Sequence, residues 1–340
     1  MTYWLSYCLI GLVGGGGLLA MLISVHRSRR YNRPWLENLL LMTLTVFLTG
    51  MGIEFCFKLF FAQSDTIPTL AQANWRERYY TGTMNSLGFR DKEWTADMVA
   101  GKTKVMVVGD SFVEGVGIEN PADRFSNRLG DKLGANFVVF NVGQSGANTT
   151  DEIKLITEYP YKPNILIFTY FVNDVEGPAA WERGMVRPPR IEIQPYLVPL
   201  VKNSYAFNFF YWRIFRFMQA GQPDEKWDWL LNVYNNPEVW WLHQQDLLSI
   251  YQGAKSEHIP LIVVAFPAMN HITESQVVTQ KVLDLYRQQG VPTLDVAPLI
   301  ADIPTADLLA SPVDPHPSEK VHALVADALY EMIQKLGSKK

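Results

Sequence analysis

Apolar positions along this chain fall into two kinds of run. Near the start, residues 3–25 hold only apolar and small uncharged side chains, and residues 38–61 form a second apolar run broken late by Glu54 and Lys58. As a helix, each is long enough to cross a hydrocarbon core of about 30 Å. Further on the runs become short. Candidate strands at residues 104–109, 137–142, 165–170, 260–266 and 291–296 are rich in Val, Ile and Phe and are apolar throughout rather than alternating. That pattern belongs to parallel strands covered on both faces. Amphipathic stretches near 121–133, 150–159, 239–257, 274–289 and 317–336 separate them. The alternation predicts an α/β fold, a three-layer α/β/α sandwich with a parallel sheet, preceded by two transmembrane helices.

The expected organisation is a transmembrane hairpin over 1–62, a polar linker and approach segment over 63–102, and the α/β domain over 103–340. One stretch breaks the alternation. Residues 178–238 are far longer than an ordinary connection and carry Trp181, Trp212, Trp227 and Trp229. Within them, residues 205–218 are dense in aromatics, with only Arg213 and Arg216 charged. This insertion reads as a subdomain with its own small core, or else as a lid, a membrane-surface element or a partner surface.

Composition narrows the class. Of the 340 residues 48% are hydrophobic and 19% charged, enough apolar material for a packed core and too little charge for disorder. A net charge of −4 gives no footprint for nucleic acid. Two cysteines, Cys8 and Cys56, and six histidines without metal-site spacing leave no disulfide framework and no expected metal or other cofactor. A signal peptide carries its positive charge before the apolar run, whereas Arg27, Arg29, Arg30 and Arg33 follow it here. The positive-inside rule places that turn in the cytoplasm and both termini outside, so the α/β domain is expected on the extracytoplasmic side of the cytoplasmic (inner) membrane. Glu54 and Lys58 read as an i,i+4 pair at the outer interface, or as a polar contact to a membrane partner.

In open α/β sheets ligands bind beyond the carboxyl ends of the strands. Following those ends come Gly109-Asp110-Ser111-Phe112, then Gly143-Gln144-Ser145-Gly146-Ala147-Asn148, then Phe171-Val172-Asn173-Asp174, and before the last helix Asp314-Pro315-His316-Pro317. A serine hydroxyl needs an adjacent base to act as a nucleophile. Ser111 is the candidate nucleophile, His316 the base, and Asp314 the group that orients the imidazole. Residues two apart in an extended chain point the same way, so Asp314 and His316 can pair directly. Candidate oxyanion donors are the N–H groups of Ser111 and Gly146 and the amide of Asn173. Asp110 also suits a helix cap, Asp174 a turn, Ser318 a first helical turn, and His322 a packed or solvated helix position.

This set of four blocks resembles the SGNH/GDSL hydrolase family, whose blocks supply Ser, Gly, Asn and His. The segment Asn85-Ser86-Leu87-Gly88-Phe89-Arg90 also resembles the approach segment of membrane-anchored members. The resemblance covers about residues 85–176 and 258–336. It implies a flavodoxin-like sandwich and metal-free serine chemistry on esters, often acyl groups on glycans or lipids. The chain departs from the family pattern twice. The family commonly writes Asp-x-x-His, whereas Val313 stands three before His316 and Asp314 two before; and Phe171 occupies the usual glycine of the third block, where it narrows the acyl pocket or packs beneath it. The expected function is that of a membrane-anchored serine esterase or O-acyltransferase working through an acyl-serine. A membrane-bound O-acyltransferase partner is a further implication of the resemblance. The alternative is a non-catalytic binding or scaffold subunit of a membrane complex.

Overall fold

The computed structural model describes residues 2–28, 34–177, 181, 184–185, 192–221 and 225–337. Most of the arginine-bearing turn and part of the 178–238 insertion therefore lie outside the described residues. The chain divides into two compact units.

The larger unit comprises residues 63–68, 75–192 and 221–340. Its sheet holds β1 (Thr103–Gly109), β2 (Phe137–Gly143), β3 (Ile165–Tyr170), β4 (Leu261–Ala265) and β5 (Thr293–Asp295) in the order β2-β1-β3-β4-β5, all parallel. This is the doubly wound order in which the direction of winding reverses beside β1. Each expected strand is present, with β5 shorter than its apolar run. Alternate residues feed two cores. Val105, Val107, Ile167, Ile262 and Val264 face the helices Phe125–Leu133 and Glu319–Gly337. Met106, Val108, Leu166, Phe168 and Val263 face the helices Thr149–Glu158, Pro237–Ser256 and Ile272–Arg287. Covering on both faces is why the strands are continuously apolar. A small antiparallel pair, β6 (Leu309–Ser311) and β7 (Asp314–Pro317), precedes the last helix and was not legible as strand.

The segment expected as a linker is more structured than its polarity suggests. It carries the helix Leu70–Tyr80 and buries Trp75, Tyr80, Phe89 and Arg90. Arg90 is held by protein partners: its guanidinium donates to the carbonyls of Gly115 at 2.8 Å, Glu119 at 3.1 Å and Tyr79 at 3.2 Å, and lies 4.1 Å above the Tyr80 ring.

The smaller unit comprises residues 1–62, 69–74 and 193–220. It contains α1 (Thr2–Arg27) and α2 (Pro34–Phe60), each apolar and long enough to cross a membrane. Glycines let the two approach: a Cβ on Gly14 would stand 2.9 Å from the Phe47 ring. The middle of the insertion belongs here as the helices Val198–Asn203 and Tyr205–Gln219, whereas its last part, the helix Glu225–Asn235, belongs to the sheet unit. Glu54 and Lys58 each bond to other parts of this unit. Glu54 accepts from the Ser204 hydroxyl and from the Tyr205 N–H at 2.7 Å, and Lys58 donates to Asn74 at 2.7 Å.

Candidate active site

Everything that converges on the site is carried past the carboxyl edge of the sheet. β1 ends at Gly109, Asp110 caps a short helical turn by accepting the Phe112 N–H at 2.9 Å, and Ser111 is the first residue of that turn, Ser111–Glu114. Asp110 is thus the cap. The turn packs so closely on the end of β2 that a Cβ at Gly143 would fall 2.1 Å from the Glu114 nitrogen. Only glycine fits there, which explains a glycine that acts on no substrate.

His316 lies in β7, with Nε2 2.9 Å from the Ser111 hydroxyl and Nδ1 hydrogen-bonded to the Asp314 carboxylate. A carboxylate only accepts, so Nδ1 carries the proton and Nε2 is left to accept from the Ser111 O–H. The expected pairing of residues two apart in an extended segment is what the structure has. Asp314 has no exposed surface, and His316 keeps 16% of its side chain exposed. Burial opposes charge on both groups. The His316 charge and its hydrogen bonds nevertheless hold the Asp314 carboxyl below its ordinary range. For His316, too, burial is outweighed: the neighbouring Asp314 carboxylate raises its pKa above the usual histidine value.

Asn173 sits in the single turn Val172–Val175 after β3, and its amide bonds to Asp110, which leaves a second N–H for a substrate oxygen. Ser111, Asn173 and His316 line one cavity of about 320 Å³. Gly146 does not line it; it stands in the loop after β2 with φ +81°, next to Ser145, whose N–H donates to Glu114 at 2.7 Å. Asp174 accepts the Phe171 N–H at 2.8 Å and closes its own turn. His322 is fully buried, accepts the Phe125 N–H at 3.1 Å, and is pushed down to about 3 by burial. Ser318 donates to the Asp307 carbonyl at 2.6 Å. These residues hold structure, as their positions suggested.

Two supports were missed from the sequence. Ser64, just past the second apolar run, donates its hydroxyl to the second oxygen of Asp314, while its carbonyl accepts the Ser311 hydroxyl at 2.8 Å. A serine in a polar stretch 250 residues from its partner gives no signal. The other support is Tyr234, whose hydroxyl donates to the Val172 carbonyl at 2.7 Å, one residue before Asn173. Tyr234 has then no proton left for Tyr170, so Tyr170 donates to it, and His243 Nε2, 3.0 Å from Tyr170, must donate in turn. His243 is neutral, held near 3 by burial, as this chain requires. Beneath lies Glu152, buried and with neither carboxyl oxygen bonded; burial first, and then the nearby Asp110 and Asp151 charges, hold it well above the carboxylate range.

The cavity is lined by both aromatic and polar side chains. Phe112 and Phe171 stack 4.0 Å apart, so Phe171 both packs and lines the site. The lining also includes Glu176, Lys226 and Asn270, with the Trp227 and His271 rings stacked 5.0 Å apart.

A serine, a histidine and a carboxylate in hydrogen-bonded sequence at the carboxyl edge of a doubly wound sheet define the serine-hydrolase class. Residues 107–324 match the model of the GDSL-like lipase/acylhydrolase family, and the chain belongs to that family. Solved structures similar to it include a putative lipolytic protein of the G-D-S-L family from Desulfitobacterium hafniense, at 16% identity and TM-score 0.42, covering 68% of this chain and 99% of that one. The lipase/acylhydrolase from Enterococcus faecalis is 14% identical with TM-score 0.43, covering 68% and 96%. The esterase EstA from Pseudoalteromonas is 15% identical with TM-score 0.41, covering 70% and 100%. No curated protein matches the chain.

The raised His316 pKa has a direct consequence for rate. Below its pKa the imidazolium cannot accept the Ser111 proton, so kcat/KM for an ester should fall as pH drops, with an apparent pKa above the ordinary histidine value of 6.5. Asp314→Asn should move that limb to lower pH and depress kcat strongly. Ser64→Ala should lower kcat about tenfold with KM little changed, because one oxygen of a buried carboxylate loses its donor. Full pH–rate profiles of the three proteins check this.

Proposed function

We propose that the protein is a membrane-anchored serine esterase or O-acyltransferase, acting on acyl esters of an extracytoplasmic glycan or lipid through an acyl-Ser111 intermediate. The hydrogen-bonded run Ser111–His316–Asp314 at an open cavity carries this reading. In the first half-reaction Ser111 Oγ attacks the ester carbonyl carbon while its proton passes to His316 Nε2. The tetrahedral oxyanion is held by the Ser111 N–H and the second N–H of the Asn173 amide. Collapse breaks the carbonyl–alkoxy bond, and His316 returns the proton to the departing alcohol. In the second half-reaction His316 Nε2 takes a proton from water or an acceptor hydroxyl, whose oxygen bonds the acyl carbon. Collapse then breaks the bond from that carbon to Ser111 Oγ, and His316 returns the proton to Oγ. Throughout, Asp314 keeps the imidazole oriented and stabilises its cationic form.

The Phe112–Phe171 stack beside Ser111 favours a short acyl group. Polar side chains and stacked rings in the cavity lining suit a hydroxyl-rich alcohol portion. Support for the anchor comes from α1 and α2, and support for its orientation from the four arginines between them. An acceptor that competes with water would come from the same membrane surface, where an O-acyltransferase partner could present it.

Ser111→Ala and His316→Ala should each abolish turnover of a short-chain aryl ester and labelling by a fluorophosphonate, with circular dichroism unchanged. A wild-type protein that never labels would instead be a binding or scaffold subunit. Phe171→Gly should shift the preferred acyl chain to longer lengths, measured as the kcat/KM ratio of octanoyl to acetyl aryl esters. For orientation, an alkaline phosphatase fused after Lys340 should be active and a β-galactosidase there inactive, with the opposite result for fusions in the 26–33 turn.

A further inference from the structure

The helix Tyr205–Gln219 has two apolar faces. One is buried within the smaller unit and centres on Asn208 and Trp212, with Asn208 donating to the Val201 carbonyl at 2.7 Å and Phe209 packed 4.8 Å from Phe57 of α2. The opposite face presents Phe210, Ile214, Phe217 and Met218, which are 55%, 58%, 83% and 70% exposed. Their spacing of four, three and one places them on one stripe. An apolar stripe of this size facing water is rare on a soluble monomer. A helix apolar nearly all round belongs inside a large core or against lipid.

Three observations identify what covers it. First, the helix is docked on α2: Glu54 accepts the Ser204 hydroxyl and the Tyr205 N–H, so it bonds both the capping residue and the first residue of the helix. Ser204 in turn accepts the Phe207 N–H at 3.0 Å. Second, the stripe belongs to the same compact unit as α1 and α2, in which Leu9, Leu12, Val13, Met21, Val46 and Phe55 are among the exposed apolar side chains. Third, 15 residues of helix span only about 22 Å, too short to cross a hydrocarbon core. Glu54 and Lys58 lie in the last two turns of α2, where polar groups mark the interface rather than the membrane centre. Arg213 lies over the Phe209 ring at 4.2 Å, its aliphatic stem beside the stripe and its charge at the flank.

We infer that the helix Tyr205–Gln219 is an interfacial membrane helix, its Phe210–Ile214–Phe217–Met218 face inserted in the leaflet at the C-terminal end of α2. The occupant of the stripe is phospholipid. The inference rests on the reading of α1 and α2 as membrane spans. It assigns the middle of the insertion to the bilayer, while the final helix of the insertion, with Lys226 and Trp227, lines the cavity.

The test uses the full chain in phosphatidylcholine nanodiscs, with Cys8 and Cys56 replaced by Ser and an environment-sensitive fluorophore attached at Phe217→Cys, Ile214→Cys, Leu41→Cys or Lys162→Cys. Leu41 is an exposed residue of α2, and Lys162 an exposed residue of the sheet unit. The Phe217 and Ile214 probes should lose most of their emission to lipid brominated near the glycerol end and little to aqueous iodide. The Leu41 probe should respond to lipid brominated deeper in the chain, and the Lys162 probe to iodide alone. Quenching of the Phe217 and Ile214 probes by iodide, with Leu41 still quenched by lipid, would overturn the interfacial helix and leave the spans standing. Shielding of both probes from lipid and iodide alike would overturn it in favour of a protein contact. A Leu41 probe open to iodide would remove the spans, and the inference with them.

Discussion

Asp314 is a carboxylate with no exposed surface, and a buried charge of that kind survives only if each of its oxygens has a donor. One oxygen is bonded by His316 and the other by Ser64. The first bond sets the tautomer of the imidazole and so decides that Nε2 accepts from Ser111. The second draws the start of the supposed linker into the sheet unit, since Ser64 also accepts from Ser311 on the neighbouring strand β6. The hairpin of β6 and β7 serves this arrangement: an extended Asp314–Pro317 puts acid and base on the same side, and Pro317 ends the strand before the last helix.

The nucleophile is held by a separate set of contacts. The turn Ser111–Glu114 is pinned from β2 by the Gly143 approach and from below by two buried arginines. Arg90 donates to the Gly115 carbonyl; Arg124 donates to the Glu114 carbonyl at 3.1 Å and to the Arg90 carbonyl. Burial lowers Arg124 to about 10, still far above neutral, so it remains a charged donor. Their partner charges include Glu114, which bonds the Ser145 N–H and stands 3.8 Å from Arg76. Arg90, the last residue of the segment 85–90, thereby fixes the loop that follows the turn bearing Ser111.

The insertion divides between the two units. Its middle packs with α1 and α2, and its end supplies Lys226, Trp227 and Leu230 to the cavity and Tyr234 to the turn that bears Asn173. One continuous stretch of chain thus joins the apolar hairpin to the loop that positions a proposed oxyanion donor. The match to the family spans residues 107–324, most of the sheet and its edge included, and the apolar hairpin and residues 69–74 lie outside it.

The strands, their parallel packing and the four edge motifs were legible in the sequence because each is local. A buried parallel strand is apolar throughout, Ser111 and Asn173 stand within three residues of a strand end, and Asp314 and His316 stand just before the last helix. The pairing of Asp314 with His316 was readable for the same reason, since an extended backbone sets the direction of residues two apart. Ser64 and Tyr234 were not legible as parts of the site. Each acts through a contact made by tertiary folding, and a serine or a tyrosine has no periodicity that announces such a partner. The helix in the polar stretch 70–80 escaped for a related reason, because its burial comes from single residues such as Trp75 rather than from an apolar stripe. Tertiary structure alone also decided that Asp110 caps a helix and His322 is packed neutral, for composition offers every carboxylate and imidazole the same chemistry until burial and neighbours choose among them.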